Sequence, residues 1–255
     1  PVAPSRTPGS SRVPIPGDLL AHPRPSLAID VAVLTVVPEG PDGAPALAVL
    51  LLRRDAAPKA GAWGLPGSFV RERERLAGAV LRTLADKCGI SGLAPRQLHV
   101  FDDPGRDDRG WVVSVAHVDV VPVERLEPAL AARDDLALAP IAPRGTNGAG
   151  ATSPVDVPGR QTSLPFDHDE IVALAVDDLR ERYRAAPDPG GLVREPFTFL
   201  ALRRTHDAVI GEPQQKDTFR RQMLPLLVED GEIARGGVGR PARLYRRAAD
   251  GPRVG

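Results

Sequence analysis

The chain has little of what announces covalent or metal chemistry. It carries one cysteine, Cys88, so no disulfide can close within it and a paired-cysteine zinc site is excluded. A reducing compartment fits that usage, and a cytoplasmic protein is expected. Five histidines, at 22, 99, 117, 168 and 206, never fall at the HxH or HxxxH spacings that bring two imidazoles to one ion. No metal site is therefore expected, His168 reads as part of a helix start, and Cys88 reads as a buried spectator rather than a nucleophile. No apolar run reaches the roughly 18 residues needed to cross a bilayer, and the first residues lack the basic-then-apolar order of a signal peptide, so no membrane partner is expected. A Gly-rich phosphate loop and a GxSxG elbow are also missing. Lysine occurs only at 59, 87 and 216, and 33 basic residues, nearly all arginine, balance 33 acidic ones. A neutral total argues neither for nor against a polyanionic partner, so local charge has to decide.

What is present is the composition of a folded chain. Its 255 residues, 42% hydrophobic and 26% charged, suffice for one large domain or two small ones. Residues 1–26, rich in Pro, Ser, Arg and Gly, hold no apolar period and read as a disordered tail. Two β-branched runs, Leu27 to Val37 and Ala46 to Arg54, read as buried strands joined by a Pro/Gly/Asp turn. The punctuated stretch Ala60 to Gly67 then leads to a segment, Glu74 to Lys87, whose Leu76, Val80, Leu81 and Leu84 fall at helical spacing and which Gly89 ends. Strands are expected again at Gln97 to Asp102 and Trp111 to Val121. Between Pro140 and Pro165 every period is lost, marking 141–165 as a linker or mobile loop. Beyond it, Asp167 can cap a helix running to about Tyr183. Helices from Thr198 to Gly211 and from Thr218 to Val228 follow, then two short strands about a Gly-rich basic tip between Gly231 and Arg247. Helix, turn, helix and hairpin is the winged-helix order.

One segment carries a sharper signal. Leu65-Pro-Gly-Ser-Phe-Val-Arg-Glu-Arg-Glu-Arg-Leu-Ala-Gly-Ala-Val-Leu-Arg-Thr-Leu-Ala-Asp-Lys-Cys-Gly-Ile90 resembles the Nudix box, G-x5-E-x7-R-E-U-x-E-E-x-G-U with U apolar. In register, Ser68 stands at the first Gly, followed by Glu74, Arg82, Thr83, Leu84, Asp86, Lys87, Gly89 and Ile90. Such a box holds divalent cations with carboxylates on one helix face. Here Thr83 replaces one Glu, Asp86 is a shorter carboxylate, and Lys87 puts a cation where an anion is needed. An ammonium there repels Mg²⁺ and can itself meet a phosphate, so binding without hydrolysis is expected: no catalytic residue, no metal, no required cofactor.

A narrower resemblance spans about residues 27 to 247. Leu65 to Arg71, Gln97 to Ala116, Phe166-Asp-His-Asp-Glu-Ile171 and Gly239-Arg-Pro-Ala-Arg-Leu-Tyr-Arg246, in that order, look like the NrtR-type, Nudix-related transcriptional regulators of NAD metabolism. The resemblance implies an α/β fold: a Nudix-type α/β/α sandwich at 27–140, followed across the linker by a connecting helix and winged helix-turn-helix domain at 166–247. It implies a homodimeric repressor of NAD-metabolism genes that binds double-stranded operator DNA and is loosened by ADP-ribose or a related nucleotide. The long N-terminus, Ser68 and the insertion from Ala139 to Leu164 depart from the family pattern and leave the effector open. The competing reading is an active Nudix hydrolase of ADP-ribose or another nucleoside diphosphate derivative, and a third makes the C-terminal part a protein-interaction module.

A diphosphate-ribose ligand needs cations for its phosphates and an apolar shelf for its base. Arg53, Arg54, Arg71, Arg82, Lys87 and Arg109 are the candidate cations, Phe69 or Trp111 the shelf, and Glu74 and Asp86 candidates for ribose hydroxyls or a residual ion. From Gln214 to Arg247, eight basic residues face four acidic ones, a local excess of about four positive charges. Lys216, Thr218, Arg220 and Arg221, near the start of the second helix, are expected to read bases, while Arg235, Arg240, Arg243 and Arg246 follow the backbone or minor groove.

Overall fold

In the computed structural model, residues 22–38, 43–142, 155–159, 161–234 and 242–248 are described, the last three before the gap at 235–241 by backbone alone. The tail up to residue 21 and most of the insertion, 143–154, lie outside them. The first strand, β1 (Ser26–Val37), is apolar except for Asp30, Thr35 and its first serine. It pairs antiparallel with β2 (Ala46–Arg53) through its second half and in parallel with β6 (Val112–Val120) along most of its length. Around them lie β3 (Trp63–Gly64) and β7 (Leu136–Pro140) on β2, β4 (Gly67–Phe69) on the first half of β1, and β5 (Arg96–Phe101) on β6. Among the described residues these seven strands form one mixed sheet.

Because successive side chains point to opposite faces, each apolar strand supplies two cores. Ile29, Val31, Val33 and Leu50 pack on one face with Ala79, Val80, Leu84 and Cys88 of α1 (Leu76–Cys88). Ala32, Leu34, Leu47, Val49 and Leu51 pack on the other with Ile171, Val172, Ala175, Val176, Leu179 and Tyr183 of α3 (His168–Ala185). The sheet thus lies between helices. Gly89, at φ 68°, ends α1 in the left-handed region, its N–H donating to Ala85 O at 3.0 Å while Ile90 N–H returns to Leu84 O. A fully buried leucine such as Leu84 contributes about 2 kcal/mol through area removed from water, and its truncation would open a cavity beneath the sheet.

Several sequence expectations change in detail. The helix expected to connect two domains, α3, buries a full apolar stripe against the sheet. A short helix, α2 (Glu127–Ala132), precedes β7, and neither element was legible as a period. At its described ends the segment read as a linker is packed: Ile141 bridges Val155, and Val155, Val157 and Leu164 are buried in the α3-side core. Asp167 holds the N-cap position of α3 without capping it, because its carboxylate is engaged by Arg106.

The C-terminal unit has its own small core of Phe197, Leu202, Phe219, Met223 and Tyr245. It is built from β8 (Phe197–Thr198), α4 (Phe199–Ile210), α5 (Lys216–Met223), β9 (Leu227–Ala234) and β10 (Ala242–Arg247), with strand order β8-β10-β9. Thr198 caps α4 by accepting from Ala201 N–H at 3.1 Å, and Gly211, at φ 84°, closes it. The second helix ends at Met223 rather than Val228. Pro225 has no N–H to continue the ladder, so the chain tightens into a 3₁₀ turn at Leu224–Leu226 and the wing strand starts at Leu227. No helix among the described residues is long and apolar enough to cross a membrane.

Candidate functional site

The box segment folds back upon itself. Gly67 lies beside Asp30 so closely that a Cβ there would fall 2.2 Å from the Asp30 carboxylate, so only glycine permits the approach. Both oxygens of Glu74 are taken: Arg82 donates to Oε1 at 2.7 Å and to Oε2 at 2.8 Å, and Arg71 N–H adds a bond to Oε2. The Arg82 fork holds the Glu74 pKa down at about 2. Thr83, fully buried, donates to Ala79 O and shares a 2.6 Å bond with Ser68. Lys87 Nζ donates to Gly67 O at 2.8 Å. Asp86 stays exposed on α1. These groups do not fit a divalent cation, since both Glu74 oxygens are taken by arginine and the Lys87 position of the box carries an ammonium group. Among the described residues no three His, Cys, Asp or Glu side chains converge as a metal site.

Next to the box opens a small cleft of about 160 Å³, lined by β1, β4, Arg54 just after β2, Lys87 of α1, the loop 102–110 and the start of α3. Asp30 forms its floor. Burial alone would raise the pKa of this carboxylate, but His168, Ser114 and Arg106 outweigh that and hold it at about 2. Ser114 donates at 2.6 Å and Arg106 at 3.3 Å. Arg106, nearly fully buried, closes a fork on Asp167 at 2.6 and 2.5 Å. His168 Nδ1 accepts from Leu65 N–H at 2.9 Å, which leaves Nε2 facing Asp30 at 3.3 Å.

Above that floor the charge is unbalanced. Arg109 is pinned from behind by buried Asp107, at 2.9 and 2.6 Å, and its guanidinium lies 4.9 Å from the Phe69 ring centroid and 5.6 Å from that of Phe166. Arg54 covers the Phe166 ring at 5.1 Å. Its pKa is pushed down, first by burial and then by the neighbouring Arg109 cation. Asp30, Asp107 and Asp55 offset this only in part, and the forks of Arg54 and Arg109 with the Lys87 ammonium supply the donors a diphosphate takes. The flat faces of Phe69 and Phe166 suit a base.

Of the residues singled out in the sequence, Arg54, Phe69, Lys87 and Arg109 meet in this cleft. Glu74 and Arg82 lie beneath its wall, bound to each other. Arg71 is exposed, and Arg53, one residue from Arg54, points the opposite way, 4.0 Å from Asp134 and over Trp63. Trp111 is half exposed outside the cleft. Sequence reasoning missed Asp30, Arg106, Asp107, Phe166 and His168 as lining groups. Asp30 did leave a signal, as the single charge in an otherwise apolar strand; Phe166 and His168 stood in a segment that carries the resemblance, but nothing local placed them at the cleft, because Leu65 and His168 are 103 residues apart.

The second site is the outer side of the C-terminal unit. Gln215 caps α5 by accepting from Thr218 N–H at 2.6 Å, and Lys216, Thr218, Arg220 and Arg221 stand exposed along it. Arg220 lies 5.8 Å from the Phe199 ring. The wing cations are differently placed. Arg243 pairs with Glu229 at 2.9 Å and Arg246 with Asp230, so carboxylates of β9 offset part of the charge expected to face a backbone. Arg235 and Arg240 lie outside the described residues.

Comparison with known proteins agrees with both halves. The family model of the NrtR DNA-binding winged helix domain matches residues 189–247. The ADPR responsive transcriptional repressor NtrR of Acinetobacter baylyi is 25% identical over 230 residues, 89% of this chain and 84% of that protein. The structure of Shewanella oneidensis NrtR complexed with a 27mer DNA superposes with a TM-score of 0.67 at 31% identity, covering 87% of this chain and 93% of the other. An ADP-ribose pyrophosphatase of Methanocaldococcus jannaschii is 35% identical over 74 residues, 29% of this chain and 44% of that enzyme. Fold and sites together define a Nudix-type domain fused to a winged-helix DNA-binding domain. Within that class, the chain belongs to the NrtR-type Nudix-related transcriptional regulators.

Proposed function

We propose that this protein is a transcriptional repressor that releases operator DNA when ADP-ribose, or a close nucleotide relative, enters the cleft beside its Nudix box. The observation that carries the reading is the placing of Arg54 and Arg109 together on the Phe166 face, beside a box whose one box glutamate, Glu74, is already saturated by Arg82. The first feature calls for a diphosphate; the second denies it a metal. Binding therefore proceeds without turnover. The cleft has room for the phosphates, and the remainder of the nucleotide lies across exposed Phe69. The effector domain extends through α3 to Ala185, and the reading domain begins after it. In a cytoplasmic homodimer, two copies of α5 meet half-sites separated by whole helical turns of operator DNA, upstream of NAD-metabolism genes.

The test is fluorescence anisotropy of the full chain on DNA from upstream of its own gene and of NAD-biosynthesis genes, with and without ADP-ribose. Specific binding that ADP-ribose reverses supports the reading; specific binding that ignores it removes ADP-ribose as effector. The pyrophosphatase likeness favours one other reading, hydrolysis. Formation of AMP from ADP-ribose with Mg²⁺ at ordinary enzyme rates would overturn the sensor.

A further inference from the structure

The two sites are joined by one helix whose ends are fixed in very different ways. At its start, Phe166 underlies both cleft arginines, Asp167 is forked by Arg106, and His168 is held between Leu65 N–H and Asp30. At 1.5 Å per residue, the 18 residues of α3 carry the chain roughly 27 Å from there. Its last buried side chain, Tyr183, donates its hydroxyl to Asp188 at 2.5 Å.

Asp188 is a buried knot. Its carboxylate also accepts Leu192 N–H at 2.8 Å and Val193 N–H at 2.9 Å and pairs with Arg247 of β10, while its own N–H donates to His206 Nε2 of α4 at 3.2 Å. It is 1% exposed and sits at φ 48°, a left-handed conformation that a non-glycine residue holds only when its surroundings over-determine it. Three rings run in file through the same place. Tyr183 of α3 lies 4.8 Å from His206 of α4, which lies 4.9 Å from Phe219 of α5. A shift of α3 therefore reaches the DNA-reading helix through aromatic contact and through a charged joint, with no loose segment between.

Resting on the functional reading above, we infer that Asp188 is the positioning residue of the response, the joint that converts occupancy of the cleft into a changed placement of α5. It touches neither effector nor DNA. Without it the two units keep their ligands and lose their communication.

The measurement is the ratio of DNA dissociation constants with and without saturating ADP-ribose, in the full chain and in D188N, which keeps the shape and loses the charge. Y183F, which removes one hydroxyl, is the gentler second variant should D188N not fold. A ratio of order ten-fold in the parent is expected to fall to about twofold or less in the variants, with ADP-ribose affinity unchanged by calorimetry. A purely structural role would weaken a binding constant and leave the ratio intact. Variants with the parent's ratio overturn the joint and leave the repressor standing, whereas a parent whose DNA binding ignores ADP-ribose overturns both.

Discussion

The cations of the cleft and those of α5 have the same chemistry and opposite surroundings. Arg106 and Arg109 are each locked from behind by carboxylates, Asp167 with Asp30 and Asp107 respectively, and Arg54 and Arg109 lie against aromatic rings. Lys216 and Arg221 have no ion pair among the described residues and stand in solvent. A fixed array loses little entropy on meeting one small rigid anion, and its partly buried charge is weakly screened. A mobile, hydrated array suits a polyanion whose binding is driven by release of counterions. On the function proposed above, the same side chain serves as a shaped socket in one region and as a salt-sensitive contact in the other.

Four experiments would break or sharpen that contrast. The largest effect is expected from K216A/R220A/R221A. Losing about 1.4 kcal/mol at each position should weaken operator binding about a thousand-fold and flatten the dependence on log salt by about three units, with ADP-ribose affinity untouched; an unchanged salt slope would move the DNA contact elsewhere. Next comes acid. Burial holds the His206 pKa at about 4, against 6.5 in an unfolded chain. The folded state stays unprotonated while the unfolded state gains a proton, so stability present above pH 6.5 is lost as pH falls toward 4, by up to about 3 kcal/mol. Burial raises the Asp188 pKa, which offsets part of that loss at the acid end. Urea unfolding at pH 7 and 4.5 reads it, and H206Q should flatten the slope.

Smaller effects separate cleft from box. R109A should weaken ADP-ribose binding about 30-fold, the loss of a charge-assisted bond of about 2 kcal/mol, while leaving DNA affinity without effector as it was; equal ADP-ribose binding would take the phosphates out of this cleft. T83V deletes a buried hydroxyl that bonds Ala79 O and Ser68. It should lower stability by about 1 kcal/mol in thermal unfolding and leave effector affinity alone, because this part of the box is framework.

Much of the architecture was open to reading in one dimension. The alternating and continuous apolar runs located β1, β2, β5 and β6 to within a residue or two, because a strand needs only its own side chains to declare two buried faces. Gly89 and Gly211 marked helix ends for a local reason, the left-handed backbone. The box likewise exposed its own substitutions at Thr83 and Lys87. The misses share a different cause. α2 and β7 are too short to show a period, α5 reads too long because Leu224, Leu226 and Val228 continue an apolar run past Pro225, and the packing of the segment about Val155 and Val157 depends on a sheet face far away in sequence.

The candidate site divides the same way. By itself the sequence determined that a Nudix-like box with a cation in its cage precedes a basic winged helix, since both are contiguous patterns. Only the tertiary structure decided which cations line the cleft. Arg54 turns inward and Arg53 outward at the end of β2, and Glu74, just before α1, is consumed by Arg82 of that helix. Asp30, Arg106, Phe166 and His168 become one wall only after β1 pairs with β6 and α3 settles on the sheet. Those contacts join residues up to 138 apart, and long-range packing leaves no trace in local pattern.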